Sequence, residues 1–239
     1  MSPLGDCAIV VKLGERVDEE THTKVSVFSD YLDSHPFDGL VEYIPAFTSV
    51  TVVYDPVRIF LKDSQGMAQG EIRYPYDGVK RRLIEMLEHI QEGAVSEPRI
   101  VEIPVCYGDE FGVDLEHVAE INGLRTEEVI EIHAGGSYLV YMLGFAPGFP
   151  YLGGMDPRIA APRKQTPRLA IPPGTVGIAG EQTGVYPIET PGGWQLIGRT
   201  PLALFLPDRQ PPTLLEAGDR IRFYPITRKE YDQWGGDSR

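Results

Sequence analysis

Eleven of the 26 glycines and nine of the 21 prolines in this chain fall between Gly144 and Gly198, roughly a quarter of its 239 residues. A segment so dense in turn formers cannot build long regular elements, and without apolar residues it would stay disordered. Here Phe145, Phe149, Tyr151, Leu152, Ile171, Val176, Ile178, Val185, Tyr186, Trp194, Leu196 and Ile197 are threaded between the turns. The pattern predicts short strands joined by tight, shaped turns, and this block is where function is expected to reside.

Charge sharpens the expectation. The chain carries a formal net charge of -13, yet residues 157–180 contain no Asp or Glu and do contain Arg158, Arg163, Lys164 and Arg168. A local positive excess in an acidic molecule attracts a carboxylate or a phosphate. Any one of these side chains reads equally well as a solvated loop cation. The cluster is more telling than its members.

The polar side chains of the block, Arg163, Arg168, Glu181, Gln182, Thr183, Tyr186 and Thr190, are the candidate substrate-binding residues. A carboxylate, an amide, hydroxyls and guanidinium groups can hold a small polar amide or acid, and glycines let backbone N–H groups approach it. The plain alternative is that Glu181 and Gln182 occupy a turn. Phe145, Pro147, Phe149, Tyr151 and Trp194 are candidates for partner binding, because a rigid aromatic loop such as GFAPGFP makes a good interface anchor. Their plain alternative is to fill the interior of a barrel. No catalytic residue can be singled out.

Other classes are pruned by what is missing. The acidic balance works against nucleic-acid binding, which draws most of its affinity from Lys and Arg on phosphates. No apolar run reaches the roughly 18 residues of a membrane span, and the start MSPLGDCAIVVKLGE lacks the basic and apolar segments of a secretion signal, so a cytoplasmic location is expected. Cys7 and Cys106, the two cysteines, are too few for a disulfide framework or a four-sulfur zinc site, and each is expected as a small buried strand residue. No GxxxxGK[ST], HExxH, CxxC or acidic calcium loop occurs, and His22, His35, His89, His117 and His133 are scattered, so no metal centre is expected. His133, near a helix end, is either a general base or, more simply, a partner of the helix dipole. Ser137 follows Gly135-Gly136 without the helix of a nucleophile elbow, and reads as the start of a strand.

Periodicity divides the chain. Residues 7–13 read as a buried strand, and Asp18 caps a helix carrying Val25, Phe28, Tyr31 and Leu32 that ends at Pro36. Strands follow at 40–44 and 49–54, the second with Val50, Val52 and Tyr54 on one side, then a polar segment at 62–70. A second helix starts near Pro75, with Val79, Leu83, Met86, Leu87 and Ile90 on one stripe and Gly93 as its stop. With residues 99–105 as a last strand, this order gives a small α/β sandwich of ferredoxin-like type.

Residues 92–98 have linker composition, which places a domain boundary near residue 98: an α/β sandwich over 1–98 and a second domain over 99–239. Asp114 is expected to cap one short helix and Thr126 another; strands are expected at 138–143, through the Gly/Pro block, at 202–206 and at 219–224. Many short strands with two short helices argue for a closed β-barrel. The fold class is therefore α+β.

The runs YMLGFAPGFPYLGGMDPRIAAPR at 141–163, VGIAGEQTGVYPIETPGGWQLIGRTPL at 176–202 and AGDRIRFYPI at 217–226 closely resemble the family containing the B subunit of bacterial 5-oxoprolinase, also called allophanate hydrolase subunit 1. So do GDCAIVVKLGE near the start, YIPAFTSVTVVYDP at 43–56 and IPVCYGDEFGVDLEHVA at 103–119, so the resemblance spans nearly the whole chain. The sporulation kinase inhibitor KipI is of the same family. The chain departs from the family pattern at Ala161, Pro172-Pro173 and Thr190, which argues against giving any single hydroxyl a catalytic role.

The resemblance implies a cyclophilin-like barrel as the C-terminal half, without implying prolyl isomerase activity. It implies one component of an ATP-dependent complex that cleaves 5-oxo-L-proline to L-glutamate, inactive alone, with ATP bound mainly outside this chain. The implied partners are the 5-oxoprolinase C subunit (KipA-like) and its A subunit (LamB/YcsF-like). The segments at 147–151, 163–168 and 181–194 would form this chain's share of a composite site. The alternative is inhibition of a sporulation sensor histidine kinase by blocking its autophosphorylation.

Overall fold

The computed structural model describes residues 1–64, 74–90 and 98–234. Its internal contacts separate two units, Met1–Glu97 and Pro98–Arg239. Gly93, residues 92–97 of the linker and residues 65–70 of the polar segment lie outside the described residues.

The first unit runs β1 (Ser2–Pro3), β2 (Ala8–Lys12), α1 (Glu19–Ser34), β3 (Leu40–Pro45), β4 (Ser49–Tyr54), α2 (Pro56–Asp63) and α3 (Pro75–His89). The strands form one antiparallel sheet in the order β1-β2-β4-β3. Alternation puts Ile9, Val11, Val50, Val52 and Tyr54 into a core shared with Val25, Phe28 and Leu32 of α1, Ile59 of α2 and Val79 and Leu83 of α3. Each such side chain, fully buried, contributes about 1.5–3 kcal/mol. Asp18 caps α1 as its position suggests, its Oδ1 accepting from the Thr21 N–H at 2.8 Å. The helix α2 is an addition to the expected order. Pro56 opens it and the Asp55 carboxylate caps it, accepting from the Val57 and Arg58 N–H groups.

The strand expected at 99–105 exists but does not join this sheet. As β5 (Ile100–Tyr107) it pairs in parallel with β13 (Arg220–Pro225) over six residues and belongs to the second unit. The place beside β2 that such a last strand takes in a ferredoxin-like sheet is held by β1. At the head of the β5–β13 pair the Arg99 guanidinium donates to both carboxylate oxygens of Asp219, at 2.9 and 2.5 Å.

Between those strands lie α4 (Leu115–Asn122), α5 (Thr126–Ala134), β6 (Tyr138–Leu143), β7 (Pro150–Gly153), β8 (Arg168–Ile171), β9 (Thr175–Ala179), β10 (Gln182–Val185), β11 (Thr190–Gly192) and β12 (Gln195–Arg199), and α6 (Arg228–Trp234) follows. Seven strands form one sheet in the order β10-β9-β12-β5-β13-β6-β7. Its two end strands, β7 and β10, pack against each other, so the sheet curls into a nearly closed barrel. The strands β8 and β11 pair separately as a short ribbon. The hairpin β9–β10 turns through Gly180 and Glu181, with Gly180 at φ +60°, which a two-residue hairpin loop requires. Among the described residues no helix is long and apolar enough to cross a membrane.

Four local expectations are corrected. Residues 202–206 form no strand; only Phe205 bridges to Thr213. Cys7 is exposed in the bend before β2, whereas Cys106 is buried in β5. The cap of α5 falls at Arg125 rather than Thr126, the Glu128 carboxylate accepting from the Arg125 N–H at 2.8 Å. Asp114 precedes α4 but its side chain makes no capping bond, because it is used elsewhere.

Candidate functional site

A pocket of about 330 Å³ opens on the barrel unit. Phe145, Phe149 and Tyr151 line it from the β6–β7 hairpin, Arg163 and Pro167 from the following loop, and Tyr186, Pro191, Gly192, Gly193 and Trp194 from the segment around β11. Of the lining residues, Phe149, Tyr186 and Trp194 also pack with Ala146, Ile171, Ala179 and Leu196 in a small apolar cluster, separate from the main core of the unit. Phe149 sits edge-on to Phe145, Tyr151, Tyr186 and Trp194, with ring centroids 5.3 to 5.7 Å apart. The aromatics thus both fill space and wall a cavity.

Glycine makes this packing possible. A Cβ on Gly192 would stand 2.4 Å from the Tyr186 hydroxyl and 2.7 Å from Ile171 Cδ1. At the rim Phe145 has φ +66°, a left-handed conformation that costs a non-glycine residue about 1–3 kcal/mol, and the residue is 68% exposed. Burial pushes the Tyr186 phenol up to about 12, against the pull of Arg163, the Trp194 backbone N–H and Arg168. Tyr186 is therefore a neutral hydrogen-bonding group at neutral pH.

The four cations of the acid-free stretch have separate fates. Arg158 pairs with Asp156 at the surface. Lys164 Nζ and Arg168 Nη2 both donate to Asp114 Oδ1, at 3.2 and 2.8 Å, while Asp114 Oδ2 accepts from the buried Leu196 N–H at 2.7 Å. Burial works to raise the Asp114 pKa, but the bonds from Arg168, Leu196 and Lys164 outweigh it and hold the carboxyl below its ordinary value. Arg163 is exposed at the pocket and has no carboxylate partner among the described residues.

Of the other candidates, Thr190 lies on β11 beside the lining residue Pro191, with its Oγ1 buried and unpartnered. Glu181 is exposed in the β9–β10 turn and Gln182 follows it; neither lines the pocket. Pro147 is exposed at the tip of the β6–β7 hairpin, also outside the lining. Thr183 is fully buried and spends its hydroxyl on the Gly177 carbonyl at 3.0 Å.

That bond fixes the state of His133. With the Thr183 proton on Gly177, Thr183 Oγ1 can only accept from His133 Nε2, 2.9 Å away, and His133 Nδ1 then accepts from the Tyr107 hydroxyl at 2.7 Å. Burial lowers the His133 pKa to about 3. The residue is a neutral core link in the chain Tyr107–His133–Thr183–Gly177, stacked on Phe223, and is neither a base at a cleft nor a charged partner of the α5 dipole.

Two residues missed in the sequence organise the site. Besides Asp114, Gln195 donates from Nε2 to the Pro162 carbonyl at 2.8 Å, and on the other side of Arg163 the Lys164 N–H donates to the Gly193 carbonyl at 2.7 Å. The available signal was chemical: several clustered cations near an apolar strand call for a buried acid.

The molecule is a two-unit α+β protein whose nearly closed barrel carries a small aromatic pocket with one cation among its lining residues. The chain matches the family described as carboxyltransferase domain, subdomain C and D, over residues 1–215, and belongs to it. It is 55% identical to the 5-oxoprolinase B subunit of Bacillus subtilis (strain 168), over 98% of this chain and 96% of that one. The protein of the same description from Escherichia coli O157:H7 is 40% identical, over 93% and 94%. The solved urea amidolyase of K. lactis shares the fold, with a TM-score of 0.73 at 23% identity over 95% of this chain and 15% of that one.

Proposed function

We propose that this chain is the B subunit of an ATP-dependent 5-oxoprolinase and that the pocket is its share of a composite site. The observation that carries the reading is the 55% identity to a 5-oxoprolinase B subunit over nearly the full length of both chains. The pocket supports it: about 330 Å³ suits a small ring, and its wall offers aromatic faces, a neutral phenol and one guanidinium. In the complex ATP, held mainly by the partner proteins, activates the stable lactam carbonyl by phosphoryl transfer. Water then opens the ring C–N bond, giving L-glutamate, ADP and phosphate. This chain's part is to bind and orient the lactam and to exclude bulk water from it.

The test is reconstitution. Co-expressed with its KipA-like and LamB/YcsF-like partners, the protein is expected to release glutamate from 5-oxo-L-proline only when ATP is present, and the isolated chain is expected to be inactive. No ATP-dependent glutamate from the full complex would refute the reading.

A further inference from the structure

The pocket's charge is unusual in its singleness. Among its ten lining residues Arg163 is the only one that carries a formal charge, and no acid lines it. This isolation is built. Lys164, in the same loop, and Arg168, at the start of β8, are both drawn onto Asp114. The backbone at Arg163 is held from both sides, the Pro162 carbonyl by Gln195 and the Lys164 N–H by Gly193. One carboxylate thus pairs two of three neighbouring cations, neither of which lines the pocket, and ties down the segment that follows the third.

We propose that Arg163 receives the carboxylate of the pocket's ligand and that Asp114 is the positioning residue that keeps the site selective for a single negative charge. A planar guanidinium matches one carboxylate through two parallel N–H···O bonds. A nucleotide triphosphate calls for several cations or a glycine-rich helix N-terminus, and this pocket has neither. The pocket therefore takes the lactam acid, and ATP binds elsewhere. The inference rests on the reading of the pocket as the substrate's site.

The experiment uses the reconstituted complex with 5-oxo-L-proline, with 2-pyrrolidinone as the same lactam lacking the carboxylate, and with glutarate as a dicarboxylate. Arg163→Ala should raise KM for 5-oxo-L-proline at least about tenfold, leave kcat within about threefold, and leave inhibition by 2-pyrrolidinone and KM for ATP within about twofold. Arg163→Lys should recover part of the loss. Asp114→Asn should free Lys164 and Arg168 and tighten competitive inhibition by glutarate about tenfold, which mere loosening of the fold would not do.

An unchanged KM in Arg163→Ala, a rise in the ATP KM instead, or unchanged glutarate inhibition in Asp114→Asn would overturn the proposal. If the wild-type complex makes no glutamate, the functional reading fails on its own, and fluorescence of the isolated chain carrying Trp234→Phe, which leaves Trp194 as its one tryptophan, decides this one. Quenching by 5-oxo-L-proline that is stronger than by 2-pyrrolidinone and lost in Arg163→Ala supports it; equal or absent quenching overturns it.

Discussion

Asp114→Ala is expected to destabilise the Pro98–Arg239 unit by about 3 kcal/mol, since it leaves a buried N–H unsatisfied and two half-buried cations without their shared acid. The orphaned N–H is that of Leu196, which lies in β12 near the middle of the barrel sheet. The cations are Lys164 and Arg168, both only partly exposed. Urea unfolding followed by tryptophan fluorescence would measure the loss, since Trp194 and Trp234 both belong to this unit. A loss below about 0.5 kcal/mol, the level of an ordinary surface change, would mean that the three bonds to Asp114 do not hold the loop in solution.

The second large effect is acid lability through His133. Its folded pKa of about 3 lies below the ordinary 6.5, so between these values the unfolded chain binds a proton that the folded one refuses. The contribution is complete above pH 6.5 and is lost as pH falls, at about 1.4 kcal/mol per pH unit, until the folded histidine itself titrates near pH 3. From pH 6.5 to 5 this amounts to about 2 kcal/mol. Glutamine at this position can offer an oxygen to Tyr107 and an N–H to Thr183 but cannot be protonated in this range. His133→Gln should therefore flatten the dependence of urea stability on pH between 7 and 5, whatever its absolute stability. Identical slopes in the two proteins would show that His133 is not held neutral by burial.

The first unit was legible where one element explains itself. The Asp18 cap, the Val50, Val52 and Tyr54 alternation and the Val79 and Leu83 stripe are short-range patterns, and each appears as read. The helix α2 was not, although Asp55-Pro56 is a start signal, because it is only eight residues long and buries Ile59 alone. The β5 strand was visible as a strand but not as a member of its sheet, since its parallel partner lies some 120 residues further along the chain. Register of that kind is set by tertiary packing, and local sequence does not encode it.

In the site, Arg163, Tyr186, Phe149, Tyr151 and Trp194 were marked by residue type and do line one pocket. Arg168 was marked for the right charge, but its guanidinium is taken by an aspartate 54 positions away that read locally as a helix cap. Thr183 and His133 were marked as polar and turned out to satisfy each other in the core. Type and spacing can nominate a polar residue; only the fold shows whether its hydrogen bonds are already spent.

Filling the cavity should stop the reaction if the lactam sits there. A Cβ on Gly193 would meet nothing closer than the Lys164 carbonyl oxygen at 3.6 Å, so Gly193→Leu adds bulk to the pocket lining without a backbone clash at Cβ. In the reconstituted complex this variant should fold and assemble but turn over 5-oxo-L-proline at least about tenfold more slowly. Full turnover by an assembled Gly193→Leu complex would place the reacting lactam somewhere other than this pocket.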